Sequence, residues 1–155
     1  MILRPNWFAG NFQTFWKQGV THGQISVPAA EGKSSYTDTR DIAASAAAAL
    51  TSSRFDDKAF DLTGPAALSY AEAAETLSAV LGKKIAYEHM EPDAFIAMLA
   101  GAGVPRDYAA FVTSLFHRVR EGWSVAVTDH VKHLTGRAPH SLRDHTEHNK
   151  AALLA

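Results

Sequence analysis

Histidine has the widest chemical reach of any residue type in this chain of 155 residues, which carries eight of them. His130 and His133 stand three apart, as do His145 and His148. On a helix that spacing sets both rings on one face, as a metal site needs. No carboxylate is spaced to orient the rings from behind, so the pairs are read as polar surface histidines with no metal. His89 and His117 stand alone. A second route to chemistry is a tyrosine whose phenol is made acidic by a lysine four residues on. Tyr36, Tyr70, Tyr87 and Tyr108 are followed at that distance by Arg40, Ala74, Glu91 and Val112, so the pair is absent. Gly101-Ala102-Gly103 has no third glycine in place and ends a helical pattern instead of opening one, so it is not a phosphate-binding turn. There is no Gly-x-Ser-x-Gly elbow, and no cysteine to act as a thiolate.

The other distinctive stretch is the beginning of the chain. Trp7, Phe8, Phe12, Phe15 and Trp16 recur at spacings of one, three and four. Such a cluster either buries itself in a short helix or turn or forms a wall beside a ligand, and burial is the preferred reading. Ile2 to Arg4 in front of it reads as a short buried strand, ended by Pro5 because proline has no N–H for a ladder. A chain that opens on a core strand is expected to need sheet neighbours from elsewhere.

The elements behind these residues follow from local signals. Asp38 caps a helix from Thr39 to about Leu50 with Ile42, Ala46, Ala49 and Leu50 as its apolar stripe. Asp38, Arg40 and Asp41 are read as a cap with a surface ion pair. Ser69 and Glu72 form a capping box for a helix over 70–81, closed by Gly82. Gln24 to Val27, Ala59 to Leu62 and Ile85 to His89 read as strands. Pro92 opens a helix that stops at Gly101, and Tyr108, Phe111, Val112, Leu115, Phe116 and Val119 stripe the next one as a core helix. Thr128 caps a short helix, and Ser141 and Asp144 open a last one that reaches about Leu154. The expectation is one α/β domain over 1–155, with few short strands and five or six helices.

Basic and acidic residues number 15 and 16, so charge offers nothing to nucleic acid or an anionic membrane. No apolar run approaches a membrane span and no leader pattern opens the chain, so a cytoplasmic protein is expected.

Ile2-Leu3-Arg4-Pro5-Asn6-Trp7-Phe8 with Asn11-Phe12 resembles a segment of NmrA-like proteins, which are atypical short-chain dehydrogenases that bind NAD(P). Three further stretches resemble that family in the same order: Tyr36 to Ala43, Phe60 to Pro65 with Leu68-Ser69, and Leu134 to Pro139 with Ser141-Leu142. The match is to the family's C-terminal half, and the glycine-rich nucleotide turn would lie upstream. The resemblance therefore implies a truncated Rossmann-like fold that binds substrate. It would take NADP or NAD when an N-terminal nucleotide-binding half is supplied, and would be catalytically incompetent alone. It implies cofactor contacts at Pro5, Asn6 and Trp7, and substrate contacts at Phe8, Asn11, Phe12 and Phe116. Two other readings stand beside it. One is a non-redox binding module, a homodimer in which Ile2-Leu3 and Phe60–Leu62 pair across subunits or lie under the chain's own helices. The other is a small cofactor-independent enzyme with a pocket of Trp7, Phe8, Phe12 and Phe116 for a small-molecule ligand.

Overall fold

Six short strands pair two by two in the computed structural model, which describes residues 1–155. They are β1 (Ile2–Pro5), β2 (Gln24–Val27), β3 (Lys33–Ser35), β4 (Ala59–Leu62), β5 (Ala67–Ser69) and β6 (Ala86–His89). β1 runs parallel to β4 and β2 parallel to β6, while β3 and β5 are antiparallel. The helices are α1 (Lys17–His22), α2 (Thr39–Leu50), α3 (Tyr70–Leu81), α4 (Pro92–Gly101), α5 (Arg106–Arg120), α6 (His130–Thr135), α7 (Leu142–His148) and α8 (Lys150–Leu154). No helix is long and apolar enough to cross a membrane.

The α/β class is as expected, but the helices number eight rather than five or six. The tail of the aromatic segment coils into α1, closed by Gly23 at φ 81°. The last helix splits in two at Asn149, whose side-chain amide donates to the His145 carbonyl at 2.8 Å. β3 and β5 carry no strand signal in their sequences, Lys-Ser-Ser and Ala-Leu-Ser, and form because tertiary contacts pair them. Thr128 does not cap α6. Its hydroxyl donates instead to the Asp61 carbonyl at 2.6 Å.

Elsewhere the local signals decide. The Ser69 hydroxyl accepts from the Glu72 N–H at 3.2 Å while the Glu72 carboxylate accepts from the Ser69 N–H at 2.7 Å, so both ends of the capping box close. Gly82 ends α3 at φ 71°, a left-handed conformation that costs glycine little. α2 starts where expected, with the Asp38 carboxylate accepting from the Arg40 N–H at 2.7 Å. Its buried face is Asp41, Ser45 and Ala49, which shares only Ala49 with the expected apolar stripe, and Leu50 is 84% exposed.

β1 departs from expectation in two ways: it extends through Pro5, and it is only half-buried, with Ile2 58% exposed. It pairs with β4 of the same chain along one edge. The pairing explains the proline. The N–H groups of Ile2 and Asn6 donate to the Lys58 and Leu62 carbonyls, both at 2.9 Å, so alternate residues of β1 face β4. Leu3 and Pro5 face the opposite edge, where there is no strand and the missing N–H breaks no bond. The far edge of β4 is treated differently: the Asp61 N–H donates to His130 Nδ1 at 3.0 Å, and Thr128 covers its carbonyl.

The main core joins α3, α4 and α5 to the aromatic segment, with Phe12, Tyr70, Leu77, Phe95 and Phe116 fully buried. A smaller core of Phe55, Phe60, Leu62, Val131 and Leu134 lies under β4 and α6, with Leu3 and Ile42 against it.

Candidate functional site: an aromatic groove beside the end of β1

The chain leaves β1 at Asn6, and one side chain fixes its course. The Asn6 amide donates to Ser35 Oγ at 2.6 Å and to the Ser124 carbonyl at 2.9 Å, while its oxygen accepts from the Trp7 N–H at 2.8 Å. Thr37 then clamps the next turn. Its N–H donates to the Trp7 carbonyl at 2.7 Å, and its carbonyl accepts from the Ala9 N–H at 3.0 Å. Gly64 lets this arrangement close, because a Cβ there would sit 2.1 Å from the Tyr36 carbonyl oxygen.

So held, the segment forms one wall of a groove of about 390 Å³. Pro5, Asn6, Trp7, Phe8, Asn11, Phe15 and Trp16 line one side, and Tyr108, Phe111, Val112, Leu115 and Phe116 of α5 line the other. Phe116 is buried at its base, with ring centroids 5.5 Å from Trp7 and 5.8 Å from Trp16. No charged side chain lines the groove. The Asn6 amide is spent on the scaffold. The Asn11 amide, by contrast, makes no hydrogen bond with the protein and is free for a ligand.

Six of the seven site residues read from the sequence therefore come together: Pro5, Asn6, Trp7, Phe8, Asn11 and Phe116. Phe12 does not. It is 1% exposed and packs in the main core against Tyr36 at 5.4 Å and Tyr70 at 6.2 Å. The α5 stripe is also split. Val112, Phe116 and Val119 are buried as a core helix requires, but Tyr108, Phe111 and Leu115 are 50%, 56% and 37% exposed. The signal lay in the width of the stripe, which spans a wider arc than one neighbouring element covers. A second groove of about 430 Å³, lined by Gln18, Ile25, Met98 and Leu99 among others, lies on the far side of Phe15 and Trp16, which belong to both.

Three of the four paired histidines do structural work, while His148 lies exposed on the surface. No group of three or more His, Cys, Asp or Glu side chains is placed to hold a metal. His130 caps the edge of β4, and His133 stacks on Phe60 with centroids 6.0 Å apart. His145 is not a surface residue: it is 1% exposed, and its Nδ1 lies 2.9 Å from the Asp38 carboxylate. The Asp38 carboxylate also takes the Arg40 guanidinium at 2.8 Å, and buried Asp41 accepts from the His140 N–H at 2.7 Å. The pair at the start of α2 is therefore a buried network that ties α2 to the entry of α7.

This network has a pH dependence of definite sign. Burial holds His145 below the ordinary 6.5, with Asp38 only partly opposing it. Burial alone would raise the Asp38 carboxyl, but hydrogen bonds from Arg40 and His145 hold it well below the ordinary 3.8. Both groups take up protons more readily in the unfolded chain, so both make stability fall as pH falls. The urea midpoint is expected to decline as pH drops below about 6.5 and again below about 3.8. Replacing His145 by glutamine removes the first decline, as urea titrations between pH 8 and 3 will register.

No family model matches the chain. It is 36% identical over 145 residues to an uncharacterised oxidoreductase of Bacillus subtilis, covering 92% of this chain and 51% of that protein. It is 31% identical over 151 residues to an NAD(P)H azoreductase of Xenophilus azovorans, covering 97% and 53%. In fold it matches the Escherichia coli NADPH-dependent quinone oxidoreductase in complex with NADPH, at a TM-score of 0.84 and 23% identity, covering 94% of this chain and 51% of that one. It matches the Citrobacter triphenylmethane reductase complexed with NADP(H) at a TM-score of 0.82 and 22% identity, covering 95% and 51%. The chain thus spans about half the length of the curated relatives it matches. Its relatives are NAD(P)-dependent oxidoreductases, and with its ordered motifs and its fold they are consistent with the chain being the C-terminal half of an NmrA-like protein.

Proposed function

We propose that residues 1–155 form the substrate side of an NAD(P)-dependent oxidoreductase. The nucleotide is held chiefly by a Rossmann unit outside these residues, on the same polypeptide or another. The observation that carries this reading is the contrast between the two ends of the groove's requirements. Aromatic walls suit a flat apolar substrate or a nicotinamide ring. Nothing in the groove suits a pyrophosphate, for it has no lysine, no arginine and no glycine-rich turn into a helix. Pro5, Asn6 and Trp7 fit the ring end of the cofactor, through apolar contact rather than through the Asn6 amide.

The bare edge of β1 supports the same division of labour. Leu3 presents its N–H and carbonyl to a position where a further parallel strand fits, beside an apolar Ile2. Ala43, Ala47 and Leu50 form an exposed apolar stripe along α2, suited to packing by a neighbouring unit. The same edge favours a second reading, a homodimer through antiparallel β1 strands about a twofold axis. Sedimentation separates the two, since that dimer forms from this chain alone.

Ligand titration tests the proposal. Menadione, a neutral planar quinone, is expected to quench the tryptophan fluorescence of the isolated chain at micromolar concentration. NADPH is expected to bind the isolated chain no more tightly than about 100 μM, roughly −5.5 kcal/mol. Micromolar NADPH binding by this chain alone overturns the assignment of the nucleotide to another unit. An absence of any menadione response overturns the groove as the substrate site.

A further inference from the structure

One exposed ring divides the aromatic groove from the second groove beside it. The second groove holds about 430 Å³ between Ile25 of β2 and Met98 and Leu99 of α4, against about 390 Å³ for the first. Phe15 and Trp16 wall both, but they are held very differently. Trp16 is 9% exposed, its ring lies 6.1 Å from Phe95 and 5.8 Å from Phe116 between centroids, and its N–H donates to the Asn11 carbonyl at 2.8 Å. Phe15 is 47% exposed, and its single aromatic contact is Trp16, at 5.0 Å. Neither the N–H nor the carbonyl of Phe15 makes a hydrogen bond in the protein, although on either side of it the Lys17 N–H donates to the Thr14 carbonyl at 3.3 Å.

A ring placed in this way changes rotamer without disturbing the backbone hydrogen bonds around it, and exposed side chains do so within nanoseconds. Trp16 stays as the common floor. With Phe15 turned toward solvent the two grooves become one cleft. Each alone is near the low end of the size of ligand pockets, roughly 300–1,000 Å³, and suits one ring system; together they approach the upper end. No charged side chain lines either part. At the far end the Gln24 amide nitrogen is committed to Ser26 Oγ at 3.0 Å, whereas the Gln18 side chain makes no hydrogen bond with the protein. We propose that Phe15 is a movable partition, and that the two grooves form one site for a neutral, elongated ligand with two linked ring systems. One ring lies between the aromatic segment and α5, the other between β2 and α4, and the Gln18 amide suits a carbonyl or hydroxyl at the far tip. Phe15 is then a specificity-determining residue that sets the length of the guest. The proposal rests on the reading of the first groove as the substrate site and extends that reading to a class of substrate.

Two quinones test it by tryptophan quenching: menadione, and menadione carrying a 3-phenylpropyl arm at its free ring position. The armed quinone is expected to bind the isolated chain about tenfold more tightly, because its phenyl ring is buried in the second groove. Met98 lines only that groove and is exposed, so Met98→Glu is expected to abolish the tenfold advantage while menadione binds as before. Ala102→Glu, also exposed and confined to the second groove, reads the same effect should Met98→Glu fail to fold. In Phe15→Ala the advantage of the armed quinone over menadione is expected to grow, since no ring has to move aside. The proposal alone is overturned if menadione binds and the arm adds nothing, if the advantage survives both glutamate variants, or if it shrinks in Phe15→Ala. A chain that binds neither quinone overturns the first groove as the substrate site and this extension with it.

Discussion

Replacing Asp38 by alanine is expected to lower the folding stability by about 2–4 kcal/mol, the sum of a lost helix cap and a buried polar group left unpaired. Three losses combine. The first turn of α2 loses its cap, which alone is worth about 1 kcal/mol. Arg40 loses the carboxylate that holds it at 2.8 Å. His145, 1% exposed, keeps a buried Nδ1 with no acceptor, and its Nε2 already has no partner. The surface pair of Arg4 and Asp61 is the natural comparison. It is as short, at 2.7 Å, but its side chains are 57% and 48% exposed. Solvent screening leaves such a pair about 0–1 kcal/mol, so Asp61→Ala is the smaller perturbation by far. Urea denaturation of the two variants ranks them. Equal midpoints would mean that the Asp38 network is not what binds α7 to α2.

The second large effect is expected at Gly64. An alanine there places Cβ 2.1 Å from the Tyr36 carbonyl oxygen, well inside contact distance. The obstacle is backbone, not the end of a flexible side chain, so the strand end must move. A cost of about 3–5 kcal/mol, or failure to accumulate folded protein, is expected. The damage spreads to the groove, because Tyr36 precedes the Thr37 that holds the Trp7 and Ala9 backbone. Gly82→Ala makes the control. Nothing stands within 4 Å of its Cβ, and only the left-handed φ of 71° resists it, worth about 1–2 kcal/mol. Thermal melts and menadione titrations on both variants separate the two cases: Gly64→Ala loses both stability and binding, while Gly82→Ala keeps binding.

What was legible in the sequence is what neighbouring residues settle among themselves. Ser69 with Glu72, Gly82, Asp38 and Pro92 each act within one helical turn, and the helices they open begin where their side chains dictate. The candidate groove was legible through the run from Pro5 to Asn11, whose residues stay together because the chain cannot carry them apart. What stayed hidden depends on distant partners. His145 and Asp38 are 107 residues apart, and no local pattern marks them as a pair. β3 and β5 are strands because of what they face. Phe12 carries the same residue type as Phe8, four positions on, yet the turn between them sends one into the core and leaves the other 43% exposed. The α5 stripe reads as a single core face, and nothing local marks that Tyr108, Phe111 and Leu115 line a cavity instead.

The Asn6 amide has a consequence for selectivity. With its bonding capacity committed to Ser35, Ser124 and Trp7, it leaves Asn11 as the one uncommitted amide along an aromatic cleft. Such a cleft ranks its guests by thickness and apolar area more than by directional bonds, and a missing methylene shifts binding by only about 1–3 kcal/mol. As a substrate site such a cleft is expected to admit a range of flat guests, and a donor or charge added at its rim is expected to narrow that range.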